Sequence, residues 1–341
     1  MAIIDKSRRG QKIVLFTFFL ILIVILMLRN TNVGCDLPAY EYYFDYIAKT
    51  SWLDILNPFY VRDIEWGYVI FNKITSFVYY NFHFFLAVTA CLAVLPIAFL
   101  YISESKLPFL TIILFVNMPT FVLLFSGLRQ AIAIAIGGIA FSFVKARRPI
   151  KFICAVICAC LFHISALILL AMYPAYHKSV TSKSLPFILV IFICLVLFAK
   201  EIFLTIVPFL GSKYASRYTA IEETGAYAML LLFFLFTIFS FVFVNEKRVS
   251  HELLGFRNFL LINLFIQAFA PINAIAMRLG YYYLIYIPLL IPMVITQGKR
   301  RYKFMLNMAH IVMLVFFFVY YFWNAYHGED ILHVYPYEMF I

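Results

Sequence analysis

Charge is scarce in this sequence. Asp, Glu, Lys and Arg together supply 13% of the 341 residues, against roughly a quarter in a soluble globular chain. With 65% hydrophobic residues and a mean hydropathy of +0.96, that deficit excludes a soluble protein. The usual catalytic signatures are also missing. There is no phosphate-cradling P-loop, dinucleotide fingerprint, His-Glu-x-x-His helix or Gly-x-Ser-x-Gly elbow. No Asp-x-Asp pair offers to hold a metal-bound sugar nucleotide. ATP-driven chemistry is therefore not indicated, and neither a metal nor a cofactor is called for. The six cysteines do not follow zinc spacing. Cys154, Cys158 and Cys160 share one apolar run and read as small buried side chains. Cys35 has no evident partner, so no structural disulfide is expected.

What the chain does contain is long apolar runs. A lipid-exposed backbone must satisfy its own hydrogen bonds, so continuous runs mean helices rather than a barrel. The net charge of +11 is spread in short basic clusters between those runs. That pattern follows the positive-inside rule and excludes a nucleic-acid partner. The fold class is all-α: a single polytopic membrane domain over residues 1–341, with about nine to eleven spans. Spans are expected near 13–28, 82–102, 107–124, 128–144, 185–199, 227–244, 259–270, 279–296 and 304–322. The first reads as an uncleaved span with a cytoplasmic N-terminus, because it lacks a small-residue cleavage site. Glu65 to Tyr80 has helical periodicity but carries Asn72, Lys73 and Thr75, which suits an amphipathic helix in the interface. The run 152–176 is expected to be broken near Leu161-Phe162-His163. Only then do Lys247-Arg248 and the Lys299 to Lys303 cluster stay on the basic side. Loops 30–81 and 200–225 and the tail 324–341 then fall on the opposite, outer face.

The chain is organised around Leu128-Arg129-Gln130, which heads a helix rich in Ala, Ile and Gly. Small residues let helices approach closely, and an intramembrane arginine usually has a partner or a ligand. Arg129, Arg217 and Arg278 reach one face from distant parts of the chain and suit a doubly charged anion such as a diphosphate. Tyr40, Tyr218, Tyr281 and Gln130 are candidates to position it. The competing reading has Arg129 and Arg278 snorkelling to headgroups or pairing with Asp36 and Glu65. His163 is either an interior histidine bonded to a carbonyl or a proton-transfer group. Asp36 and Glu65 are general bases, arginine partners or solvated loop acids.

Val33-Gly-Cys-Asp36-x3-Tyr40, Glu65-x-Gly-Tyr68, Leu128-Arg129-Gln130-Ala-Ile-Ala133, Phe162-His163-x-Ser165-Ala-Leu167 and Arg278-x2-Tyr281-Tyr282 together resemble the EpsG family of Wzy-like polymerases. Cys35 departs from the Thr or Ser expected before the Asp. The resemblance runs to the Tyr335-Pro-Tyr337 tail and implies a relation to C-type glycosyltransferases. It implies a metal-independent enzyme of exopolysaccharide, capsule or O-antigen assembly in the bacterial inner membrane. Its substrate would be undecaprenyl-pyrophosphate-linked oligosaccharide units, joined by block transfer on the periplasmic face. A chain-length regulator and a flippase are the expected partners, besides membrane lipids. On that reading the arginines hold the diphosphate, and His163, Glu65 or Asp36 accepts the proton of the attacking hydroxyl. The alternative function is a flippase or exporter of the same lipid-linked saccharides.

Overall fold

The computed structural model describes residues 8–55, 64–206, 226–327 and 333–340. Among them the regular structure is helical, with one isolated bridge between Arg29 and Met339. The chain divides into two compact units, Met1–Leu170 with Val312–Ile341, and Ala171–Ile311.

In the first unit, α1 (Arg8–Leu28) buries Leu15, Phe19, Leu22, Ile23 and Leu26. That stripe repeats every three or four residues, yet the opposite side is equally apolar and exposed at Phe16, Leu20 and Val24. A helix that is apolar all round but buried on one stripe is built to face lipid on the other. It packs against α5 (Phe82–Glu104), where Phe19 and Tyr101 meet at 5.5 Å between ring centroids. α5 also packs on α8 (Leu128–Lys145), whose Ala131, Ala133, Ala135, Gly137 and Gly138 are all buried. A Cβ at Gly138 would rest 3.8 Å from the Pro96 carbonyl, so small residues set this approach.

Between α5 and α8 the chain makes two short helices, α6 (Pro108–Val116) and α7 (Pro119–Ser126), bent by 60°. The expected straight span at 107–124 is thus broken. Pro119 supplies no donor and forces the preceding residue out of helical geometry, and Met118 is accordingly extended. Asn117 bridges the break by donating to the Ile113 carbonyl at 2.7 Å and the Phe317 carbonyl at 3.0 Å.

Three helices lie in the first expected loop: α2 (Leu37–Lys49), α3 (Trp52–Ile55) and α4 (Trp66–Val78). At 13 residues α4 is too short to span, and it is amphipathic with its polar side turned inward. Asn72, Lys73, Thr75 and Ser76 are buried, while Ile70, Ile74, Phe77 and Val78 are exposed. The Lys73 ammonium donates to the carbonyls of Ala48 (2.8 Å) and Thr50 (2.7 Å) at the C-terminal end of α2. A cation there satisfies orphan carbonyls and suits the negative end of the helix dipole.

α9 (Pro149–Cys160) buries Phe152, Val156 and Ala159. Cys154 and Cys158 lie on its other side and are exposed, against the expectation that they fill a core; none of the six cysteines is in a disulfide. The helix stops at Cys160, turns through Leu161–His163, and resumes as the 3-10 helix Ile164–Ala171, so the run is broken where expected.

The second unit holds α10 (Met172–His177), α11 (Leu185–Leu197), α12 (Ala199–Ile206), α13 (Tyr227–Val242), α14 (His251–Gln267), α15 (Ala274–Leu284) and α16 (Ile287–Gln297). Its α14 begins eight residues before the expected 259, and α10, α13, α15 and α16 pack on it. Arg257, fully buried, is held by Glu246 at 3.2 Å, the Val180 carbonyl and the Phe241 ring face at 4.0 Å, as a buried charge requires. α15 and α16 replace the single span expected at 279–296, bent by 47°. The last helix, α17 (Lys303–His327), enters the first unit at Val312.

Among the described residues four helices are long and apolar enough to cross a membrane, or up to seven if each bent pair counts as one span. The chain is a multi-pass helical membrane protein. Among the described residues this number is below the nine to eleven expected, because apolar helices such as α9 and α13 are shorter than a full crossing.

Candidate functional site

The starts of α2, α4 and α8 and the ends of α7 and α9 meet around Arg129 in the first unit. Ser126 ends α7 and Gly127 separates it from α8, so Arg129 stands in the first turn of α8. A cation at a helix N-terminus opposes the helix dipole, which favours an anion there. Glu65, at the N-terminal edge of α4, supplies one: its Oε2 lies 2.6 Å from an Arg129 guanidinium nitrogen. The side chains keep 27% and 19% of their surface exposed, so the pair is reachable from outside the protein.

Glu65 has a second partner. Its Oε1 accepts the backbone N–H of Ile164 at 3.2 Å, at the start of the 3-10 helix after His163. The Tyr68 N–H donates to the Leu161 carbonyl at 3.3 Å. Both ends of the break after α9 are therefore tied to the first turn of α4. Gly67 makes this approach possible, since a Cβ there would come within 2.7 Å of the Leu161 carbonyl oxygen. The Glu65-x-Gly-Tyr68 and Phe162-His163-x-Ser165 segments are thus two sides of one contact.

Tyr40 of α2 is buried beside Arg129, and its ring meets that of Tyr68 at 5.7 Å between centroids. Burial pushes the Tyr40 phenol up, and the neighbouring Arg129 pulls it partly back. Burial likewise drives the Tyr68 phenol well above its ordinary range. Both phenols stay neutral donors at physiological pH. Asp36 precedes α2, and its backbone N–H donates to Ser126 Oγ at 3.3 Å. Cys35 Sγ lies 3.2 Å from the same oxygen and 3.7 Å from Asp36 Oδ1. Gly34 allows this seating: its φ is +115°, and a Cβ would come within 2.2 Å of the Phe125 carbonyl oxygen.

The structure therefore gathers Asp36, Tyr40, Glu65, Arg129 and His163 in the first unit. Gln130, one residue along α8, is 3% exposed and sits within the helix packing. Arg278 is exposed on α15 of the second unit, with Tyr281 and Tyr282 buried on the same helix. Arg217 and Tyr218 lie outside the described residues. Sequence reasoning gave no role to Ser126, nor to Tyr68 and Ser165, which stand in its quoted motifs. Ser165 Oγ sits 2.6 Å from His163 Nδ1, and the signal for it was a hydroxyl two residues beyond a histidine at a helix break. No group of three His, Cys, Asp or Glu side chains is placed to ligate a metal among the described residues.

Chemically, the cluster offers a partly exposed guanidinium with one displaceable carboxylate, neutral phenols, a histidine and a second carboxylate. Such a set can hold a phosphate-bearing group and manage one proton beside it. No curated protein and no solved structure matches the chain. The family model described as the EpsG family matches residues 12–339, and the chain belongs to that family.

Proposed function

We propose that this protein is a polysaccharide polymerase that joins undecaprenyl-pyrophosphate-linked oligosaccharide units by glycosyl block transfer at the outer face of the bacterial inner membrane. Membership of the EpsG family supports the polymerase role. The observation that carries the site assignment is Arg129, half-buried at the head of α8 with Glu65 as its counter-charge. The diphosphate of a lipid-linked donor would take the place of Glu65 on the guanidinium, in a bidentate fork. As the glycosyl bond breaks, charge develops on the leaving diphosphate, and a preorganised cation stabilises it. Arg217 and Arg278 are proposed as further diphosphate ligands, and Tyr40, Tyr218, Tyr281 and Gln130 as groups that position phosphate or sugar.

The charge pattern of α8 supports this orientation. Arg129 stands at one end, and Lys145, Arg147 and Arg148 lie at or just past the other. The positive-inside rule puts the basic end in the cytoplasm, and with it the Arg129 end outside. A relation to the C-type glycosyltransferases belongs to the same proposal.

The test uses purified full-length protein with lipid-linked repeat units. Arg129→Ala is expected to lower the polymerisation rate by about 100-fold or more, the usual effect of removing one preorganised electrostatic donor. Long chains built at wild-type rate by a folded Arg129→Ala protein would refute the clamp. In cells lacking the protein, single units accumulating on the outer face fit a polymerase, whereas units trapped inside would make it a flippase.

A further inference from the structure

The sequence left open whether His163, Glu65 or Asp36 accepts the proton of the attacking hydroxyl. The geometry around His163 divides these roles. A backbone N–H can only donate, and that of Ser165 is directed at His163 Nδ1 at 3.4 Å. Ser165 Oγ lies 2.6 Å from the same nitrogen. Nδ1 is therefore an acceptor and carries no proton. A neutral imidazole with a bare Nδ1 carries its proton on Nε2. The tautomer is set by local chain geometry, because the turn after α9 brings the Ser165 N–H and O–H back onto the ring two residues earlier.

The two carboxylates differ as sharply. Before substrate binds, both oxygens of Glu65 are engaged, Oε2 by Arg129 and Oε1 by the Ile164 N–H; the diphosphate that displaces Oε2 puts its own negative charge beside Arg129, while Oε1 stays held by the backbone. Asp36 is half-buried, and among the described residues its carboxylate meets the weak Cys35 thiol donor at 3.7 Å. It sits at the start of α2, with Tyr40 one turn further on, and acts electrostatically on that phenol beside Arg129.

We propose that His163 works as an Nε2–H donor to the leaving diphosphate, that Ser165 is the positioning residue fixing that tautomer, and that Asp36 is the general base. This rests on the polymerase reading above. In the step, the acceptor sugar hydroxyl gives its proton to the Asp36 carboxylate, and its oxygen forms the new bond to the anomeric carbon. The bond from that carbon to the diphosphate oxygen breaks, and its electron pair leaves with the diphosphate. Arg129 and the His163 N–H hold that oxygen, and His163 keeps its proton throughout.

A glutamine separates a donor from a base, because its amide N–H reaches about where Nε2 stands and cannot accept the hydroxyl proton. With full-length protein and lipid-linked repeat units, His163→Gln is expected to keep kcat within about tenfold of wild type, and His163→Ala to lose about 100-fold. Asp36→Asn is expected to be as impaired as Asp36→Ala, by about 100-fold or more. Ser165→Ala is expected to lower kcat several-fold with KM little changed, and Ser165→Thr to restore it. Nitrogen NMR of histidine-labelled protein reads the tautomer directly, with the His163 proton expected on Nε2. The assignment is overturned if folded His163→Gln is as inactive as His163→Ala, if Asp36→Asn turns over normally, or if the proton resides on Nδ1. A wild-type protein that makes no polymer while showing the Nε2–H tautomer would instead defeat the polymerase reading.

Discussion

At the scale of single residues, Glu65 has two roles that a substitution can part. It neutralises Arg129 with one oxygen and secures the Ile164 N–H with the other. Glu65→Gln keeps an acceptor for Ile164 and removes the counter-charge from Arg129. It is expected to fold with stability within ~1 kcal/mol of wild type and to bind an isoprenoid diphosphate more tightly in a direct titration. Glu65→Ala loses both contacts, and its melting temperature in detergent should fall by the equivalent of about 1–3 kcal/mol for the orphaned donor. Weaker diphosphate binding by Glu65→Gln would show that substrate and carboxylate do not compete for Arg129. Arg129, Glu65 and His163 were legible as candidates because charged or titratable residues are costly within apolar sequence. The sequence offered Asp36 and Glu65 as possible partners for Arg129, and the structure selects Glu65. Pairing Glu65 with Arg129 depends on a contact across 64 residues, and nothing local encodes it.

At the scale of elements, α4 carries much of the site. Its sequence pattern shows two faces but not which of them meets water, and the structure turns the polar face inward. Three main-chain carbonyls at the end of α2 lie within reach of the Lys73 ammonium, and that local set of acceptors makes burial of a lysine tolerable. Lys73→Met should strand them, lowering stability by about 1–3 kcal/mol, which thermal unfolding in detergent will read. Gly67 is the other constraint. The atom a side chain would strike is the Leu161 main-chain oxygen, which cannot swing aside. Gly67→Ala is therefore expected to push α4 away from the turn at His163 and to loosen the Glu65–Ile164 contact. The polymerisation rate should drop by about 100-fold, the scale at which a shift of about 1 Å disturbs a catalytic geometry. Normal turnover by Gly67→Ala would mean that this contact does not set the site.

At the scale of the whole molecule, the proposed orientation can be read by thiol labelling. Cys35 is exposed next to Asp36, on the side assigned to the outer face. A membrane-impermeant maleimide is expected to label it in intact spheroplasts. A cysteine placed at Ala146, in the basic turn after α8, should label only after permeabilisation; the reverse pattern would invert the topology. The all-helical, multi-pass class was determined by sequence alone, because a chain this apolar has few other ways to satisfy its backbone in lipid. The break after Cys160 was also legible, since basic clusters on both flanks demanded it. The bends at Pro119 and between α15 and α16 were not, because hydropathy averages over a run and ignores its direction. Which acid meets which base and which face of α4 turns inward were decided only by tertiary structure. Each depends on backbone donors and acceptors brought together from distant segments, and a linear pattern carries no distances between them.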